Sequence, residues 1–209
     1  MVQYHPLEWP GVNKMAVHFI YVHGFNSSPA SFKAQLLIEY FAKQGWADRL
    51  DVPELPEYPQ DAMGLLESLV SAHSEVVLIG SSLGGFYTTF LTEKYSQARG
   101  VLINPAVAPH KLLVQLLGPN VNYYNGREYD LTEEHLRQVE SLYLPQLSHP
   151  EKLLLLQQEG DETLDYRDAV HYYRKCEQIV QPGGNHGFEN FDSMVPVILK
   201  FADRQHTAD

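Results

Sequence analysis

Short apolar runs alternate along this chain with segments whose apolar residues recur every three or four positions, the pattern of strands alternating with amphipathic helices. The spacing predicts strands over residues 16–22, 75–79, 100–103, 152–157 and 176–180, with a shorter one at 49–52. Helices are predicted over 29–43, 61–72, 83–95 and 188–202, the last shortened or kinked by its internal Pro196. In the first helix, Ser28 and Pro29 supply a cap and a proline at the opening position, and Phe32, Leu36, Leu37, Tyr40 and Phe41 form the buried face. Such alternation argues for a mostly parallel sheet covered by helices on both faces.

The alternation is broken at 109–150, which carries Leu112, Leu113, Leu116, Leu117, Tyr123, Tyr124 and Tyr129, with a helix expected over 130–144 capped by Asp130 or Thr132. This insertion reads as a small helical cap over the strand ends. Leu113, Leu117, Tyr123 and Tyr124 are its candidate substrate-pocket residues, although its leucines can equally pack on the core. Residues 1–14 hold Pro6, Pro10 and Gly11 without periodicity and read as an irregular extension, with Met15 as an alternative start. The expected organisation is one domain over 15–203 and a tail at 204–209.

Sheets of this kind bind ligands at the carboxyl ends of their strands, which selects among polar residues. His23, Ser82, Asn104, Asp161 and His186 all pass that filter. Ser82 stands in Gly80-Ser81-Ser82-Leu83-Gly84, between a buried strand and a helix, where a sharp turn lifts a serine clear of the sheet. It is the candidate nucleophile; a glycine-rich turn without chemistry and an anion-binding loop are the alternatives. His186, in the loop Gly183-Gly184-Asn185-His186-Gly187 after the last strand, is the candidate base among ten histidines. Asp161 is the candidate orienting acid, with Asp165, Glu162 and Glu159 near enough in sequence to compete. The backbone amides of Phe25 and Leu83 are the candidate oxyanion donors, and His23 is read as a structural neighbour of that turn.

Charge and cysteine content narrow the function classes. A net charge of −11 argues against a nucleic acid or an anionic membrane surface as partner. The single cysteine, Cys176, precludes an internal disulfide and points to a reducing, cytoplasmic setting. The apolar run at 15–22 is too short to span a bilayer. No spaced cluster of His, Cys or Asp indicates a metal, and no cofactor motif is present.

Five segments together carry a resemblance: Tyr21-Val22-His23-Gly24-Phe25-Asn26-Ser27-Ser28-Pro29, Gly80 through Tyr87, Asn104-Pro105-Ala106, Gln157 through Glu162 with Leu164-Asp165-Tyr166, and Gly183-Gly184-Asn185-His186. In that order they resemble the α/β-hydrolase superfamily, and within it the small YqiA/YcfP-type bacterial esterases. The resemblance implies hydrolysis of small carboxylic esters, or of thioesters such as acyl-CoA, by a serine esterase with Ser82, His186 and Asp161 at its triad positions. A non-catalytic binding module of this fold, a peptidase and an acyltransferase share the same residues and stay open. Oligomeric state is not legible.

Overall fold

The computed structural model describes residues 17–204. The extension at 1–14 and residues 205–209 of the tail lie outside the described residues. Six strands form one parallel sheet: β1 (His18–Val22), β2 (Leu50–Asp51), β3 (Val76–Ser81), β4 (Ala98–Ile103), β7 (Leu153–Gln158) and β8 (Glu177–Gln181), in the order β2-β1-β3-β4-β7-β8. Every pairing in it is parallel, so the crossovers run over its faces and all strands point their carboxyl ends to one edge.

Residue parity along the strands divides the core. Phe19, Tyr21, Val77, Ile79, Val101, Ile103, Leu154 and Leu156 pack against α1 (Phe32–Lys43) and α7 (Val195–Ala202). Their neighbours Ile20, Val22, Val76 and Leu78 pack against α2 (Pro59–Ser71) and α3 (Leu83–Lys94) on the other face. There Leu102, Leu153 and Leu155 meet Ala169 and Tyr173, which belong to or follow α6 (Tyr166–Tyr172). All six residues of β3 and of β4 are buried, as a central strand covered on both faces requires. No helix among the described residues is long and apolar enough to cross a membrane.

Two expectations change for the first helix. Helix α1 begins at Phe32 after Ser31, because the Ser28 hydroxyl accepts the Ala30 N–H at 3.0 Å and closes a turn there instead of capping the helix. Its buried face is Ala34, Leu37 and Phe41, while Phe32 is 69% exposed. The final helix is shortened, as its proline predicts: residues 191–194 form a turn of 3₁₀ helix, α7 opens only at Val195, and Pro196 falls in its first turn, where its missing N–H has no intrahelical role.

The insertion is not purely helical. It holds a short α4 (His110–Leu113), an antiparallel hairpin of β5 (Gly118–Val121) and β6 (Glu128–Leu131), and α5 (Glu133–Ser141). Thr132 caps α5 in a reciprocal arrangement with His135, whereas Asp130 lies in β6. Along β6 burial alternates, with Tyr129 and Leu131 turned into the core beside Leu113 and Val139.

Candidate active site

The serine turn is built by close approach. Ser82 has φ 55° and ψ −120°, a conformation non-glycine residues adopt only at a cost of roughly 1–3 kcal/mol. Its N–H donates to the Ile103 carbonyl at 3.1 Å, and its own carbonyl accepts from Gly85 at 2.9 Å and Ala106 at 3.1 Å. The flanking glycines are steric necessities: a Cβ on Gly84 would overlap the Val22 carbonyl and reach 2.7 Å from the His23 oxygen, and one on Gly80 would run into Gly84. Helix α3 is thereby pressed against the end of β1, and Leu83 becomes its first residue, with an N–H that has no partner inside the helix.

The turn after β1 closes over this serine. A Cβ added to Gly24 would stand 3.2 Å from Ser82 Cβ and 3.7 Å from its Oγ. Phe25 and Leu83, whose amides are the candidate oxyanion donors, line one small hollow of about 30 Å³ between the turn and α3. His23 holds the turn in place: its Nε2 accepts the Leu55 N–H at 3.1 Å, so the proton resides on Nδ1, which donates to the Gly24 carbonyl at 2.9 Å. Burial pushes the His23 imidazole below its ordinary pKa, consistent with this neutral clamp. Both ring nitrogens are engaged, so His23 has none to offer as a base.

His186 and Asp161 meet across 25 residues of sequence. The His186 Nδ1–H lies 2.8 Å and 2.9 Å from the two carboxylate oxygens of Asp161, whose side chain is fully buried. Asp161 Oδ1 also accepts the N–H groups of Thr163 and Leu164, both at 2.9 Å, which fixes the carboxylate. With Nδ1 donating to a carboxylate, Nε2 of a neutral His186 is the acceptor. Asp165 is elsewhere: it caps α6 by accepting the Arg167 N–H and pairs with the Arg167 guanidinium, which holds its carboxyl down to about 2. Glu162 accepts the His186 backbone N–H at 2.9 Å and so braces the loop.

Ser82 and His186 line the same cavity, of about 590 Å³, with Gly24, Phe25 and Asn26 on one side. Of the four expected pocket residues only Tyr124 lines it. Leu113 is buried in the core beneath the insertion, and Leu117 and Tyr123 are 39% and 87% exposed away from it. The hairpin between β5 and β6 explains the difference: its loop points Tyr124 at the cavity and Tyr123 at solvent. That hairpin is fastened to the turn over Ser82, since Tyr129 Oη donates to Asn26 Oδ1 at 2.7 Å and Asn122 Nδ2 donates to the Ser27 carbonyl at 3.2 Å.

Residues given no role from the sequence also shape the site. Asn104 Nδ2 donates to the carbonyls of Asn185 (2.9 Å) and His186 (3.1 Å), while its Oδ1 accepts the Gln158 N–H at 2.9 Å. Gln158 Oε1 accepts from the amides of Asn185 and Glu189 at 3.2 Å and 2.8 Å. Their position at strand ends was the available signal. At the opposite end of β1, His18, Asp51 and His73, a grouping that no spacing in the sequence showed, bring three ligand-type atoms within 4.8 Å; His18 Nε2 donates to Asp51 at 2.9 Å, the two imidazoles stack at 3.7 Å, and His73 Nε2 stands 4.0 Å from the same carboxylate.

The architecture recurs in solved structures. A protein of Agrobacterium vitis S4 matches with a TM-score of 0.68 at 15% identity, over 89% of this chain and 88% of its own. Est1E from Butyrivibrio proteoclasticus, solved with ferulic acid bound, matches with a TM-score of 0.64 at 12% identity, over 91% and 90% of the two chains. Mouse α/β hydrolase domain-containing protein 10 gives 0.64 at 15% identity, over 89% and 88%. At these identities the likeness is one of fold, and the fold is that of the α/β hydrolases. A sequence model described as "Uncharacterised protein family (UPF0227)" matches residues 18–203, and the chain belongs to that family.

Proposed function

We propose that the protein is a serine hydrolase acting on small carboxylic esters, with thioesters such as acyl-CoA as a related substrate class. The observation that carries this reading is the buried Asp161 carboxylate bound to His186 Nδ1, on a cavity that also exposes Ser82 at a strained strand-to-helix turn. In this reading His186 Nε2 takes the Ser82 proton as Oγ attacks the ester carbonyl, and Asp161 stabilises the imidazolium that forms. The amides of Phe25 and Leu83 bind the developing oxyanion, a contact stronger in the transition state than in the substrate. The same histidine then returns the proton to the leaving alcohol, and a water molecule repeats the sequence to release the acid. Est1E, a neighbour in fold, was solved with ferulic acid bound, a carboxylic acid of the kind that ester hydrolysis releases.

A fluorophosphonate probe tests the reading directly. The expected result is covalent labelling at Ser82 in the wild type, no labelling of Ser82→Ala, and loss of nearly all turnover of short methyl and p-nitrophenyl esters in that variant, on the order of a million-fold in comparable triads. Full ester hydrolysis by purified Ser82→Ala would overturn it.

A further inference from the structure

The cavity holds a positive charge that the chemistry above does not use. Lys33, in the first turn of α1, lines it together with Ser82 and His186. Its Nζ donates to the Gly187 carbonyl at 2.9 Å, which occupies one of three N–H donors. Among the described residues no carboxylate oxygen lies within 4.0 Å of it, in a chain with 26 acidic side chains and 15 Lys and Arg. Burial pushes the Lys33 ammonium down to about 8, and the Asp161 carboxylate offsets that only in part. The other titratable side chains lining the cavity are His186, Glu189, Tyr21 and Tyr124, and Glu189 already accepts Asn185 Nδ2 at 3.0 Å.

A half-buried cation with a single carbonyl partner is costly to keep unless something compensates it. An anionic group on a bound molecule would supply that compensation and take up the remaining N–H donors through charge-assisted hydrogen bonds. Resting on the ester-hydrolase reading of this site, we propose that the cavity selects esters bearing a second, anionic group, a carboxylate or a phosphoryl group, which Lys33 holds while Ser82 attacks the ester carbonyl. A volume of about 590 Å³ accommodates a small ester of this kind. The reaction stays an ordinary hydrolysis, with water consumed and an acid and an alcohol released.

The test compares kcat/KM, followed by acid release in a pH-stat, for monomethyl succinate, glutarate and adipate against methyl butanoate, pentanoate and hexanoate. Methyl 3-phosphonopropanoate forms the phosphoryl arm and shows which anion is preferred. At least one charged ester should be favoured over its neutral counterpart. In Lys33→Gln that preference should fall about ten- to hundredfold, the worth of one hydrogen bond to a charged group. Lys33→Arg should keep most of it. Glutamine can still donate to the Gly187 carbonyl, so a purely structural role for Lys33 would slow both ester classes alike and leave the ratio unchanged. In the wild type the ratio should decline above about pH 8, as the ammonium loses its proton, but not in Lys33→Arg. An unchanged ratio in Lys33→Gln for every pair overturns the proposal. Calorimetric binding of glutarate to Ser82→Ala, lost in Ser82→Ala/Lys33→Gln, reads the anion subsite without turnover. Glutarate binding that depends on Lys33 with no ester hydrolysed by the wild type would overturn the hydrolase reading alone, and absence of such binding would overturn the subsite.

Discussion

Replacing Asn104 should cost both stability and turnover, because one buried amide joins the end of β4 to the strand before Asp161 and to the loop that carries His186. The side chain is fully buried and makes three hydrogen bonds, donating to the Asn185 and His186 carbonyls and accepting from Gln158 N. Its backbone also sits at φ 40°, a region that asparagine tolerates better than alanine. For Asn104→Ala, three lost bonds at about 1 kcal/mol each, a buried Gln158 N–H left unpaired and the backbone preference sum to roughly 3–6 kcal/mol. That is a large share of the 5–15 kcal/mol typical of a folded domain. Asn104→Asp separates the contributions: it keeps the shape and the acceptor for Gln158 but turns a carboxylate oxygen toward two carbonyls. Urea unfolding followed by circular dichroism should show both variants with lower midpoints and an unchanged slope. Ester turnover should fall further than the folded fraction does, because the loop is no longer held. A loss below about 1 kcal/mol for Asn104→Ala would refute the reasoning, since even the unpaired Gln158 amide alone should exceed it.

Other consequences follow from single geometric facts. In Asp161→Asn the amide oxygen stays with the Thr163 and Leu164 N–H groups, so the NH2 faces His186 Nδ1 and forces the proton onto Nε2; ester kcat should drop about 10⁴-fold with little change in KM. Ser82→Gly relieves the φ of 55° and should unfold at a higher urea concentration than Ser82→Ala, both being inactive; equal midpoints would show that the turn is unstrained. His23 binds the Leu55 N–H through an unprotonated nitrogen, and its pKa is lowered by burial from the ordinary 6.5. The unfolded chain therefore takes up the proton first, so this contribution is complete above pH 6.5 and is lost as pH falls from there through the folded value. The stability difference between wild type and His23→Gln, measured by urea unfolding from pH 7.5 to 5, should shrink on acidification; a flat difference would contradict the clamp.

How much of this was legible in the sequence depended on whether the determining interactions were local. Strands β3, β4 and β7 show as apolar runs because both their faces are covered, and the serine turn shows because Gly80 and Gly84 must lie against neighbouring backbone. Strand ends were misjudged by one to two residues where polar side chains are buried by distant partners: Arg99 lies inside β4 because its guanidinium donates to the carbonyls of Phe201 and Arg204, a contact no local pattern announces. The hairpin in the insertion was missed for a different reason. Its only local marks are the Asn125-Gly126 turn, with Gly126 at φ 71°, and the alternation of Tyr129 and Leu131, too short to outweigh the leucines around it. Lys33 was legible only in part. On a helical wheel it falls on the same face as Leu36, Leu37, Tyr40 and Phe41, an unusual place for a lysine, but only the fold reveals that the start of this face lines the cavity beside Ser82 and His186, where burial lowers the ammonium's pKa.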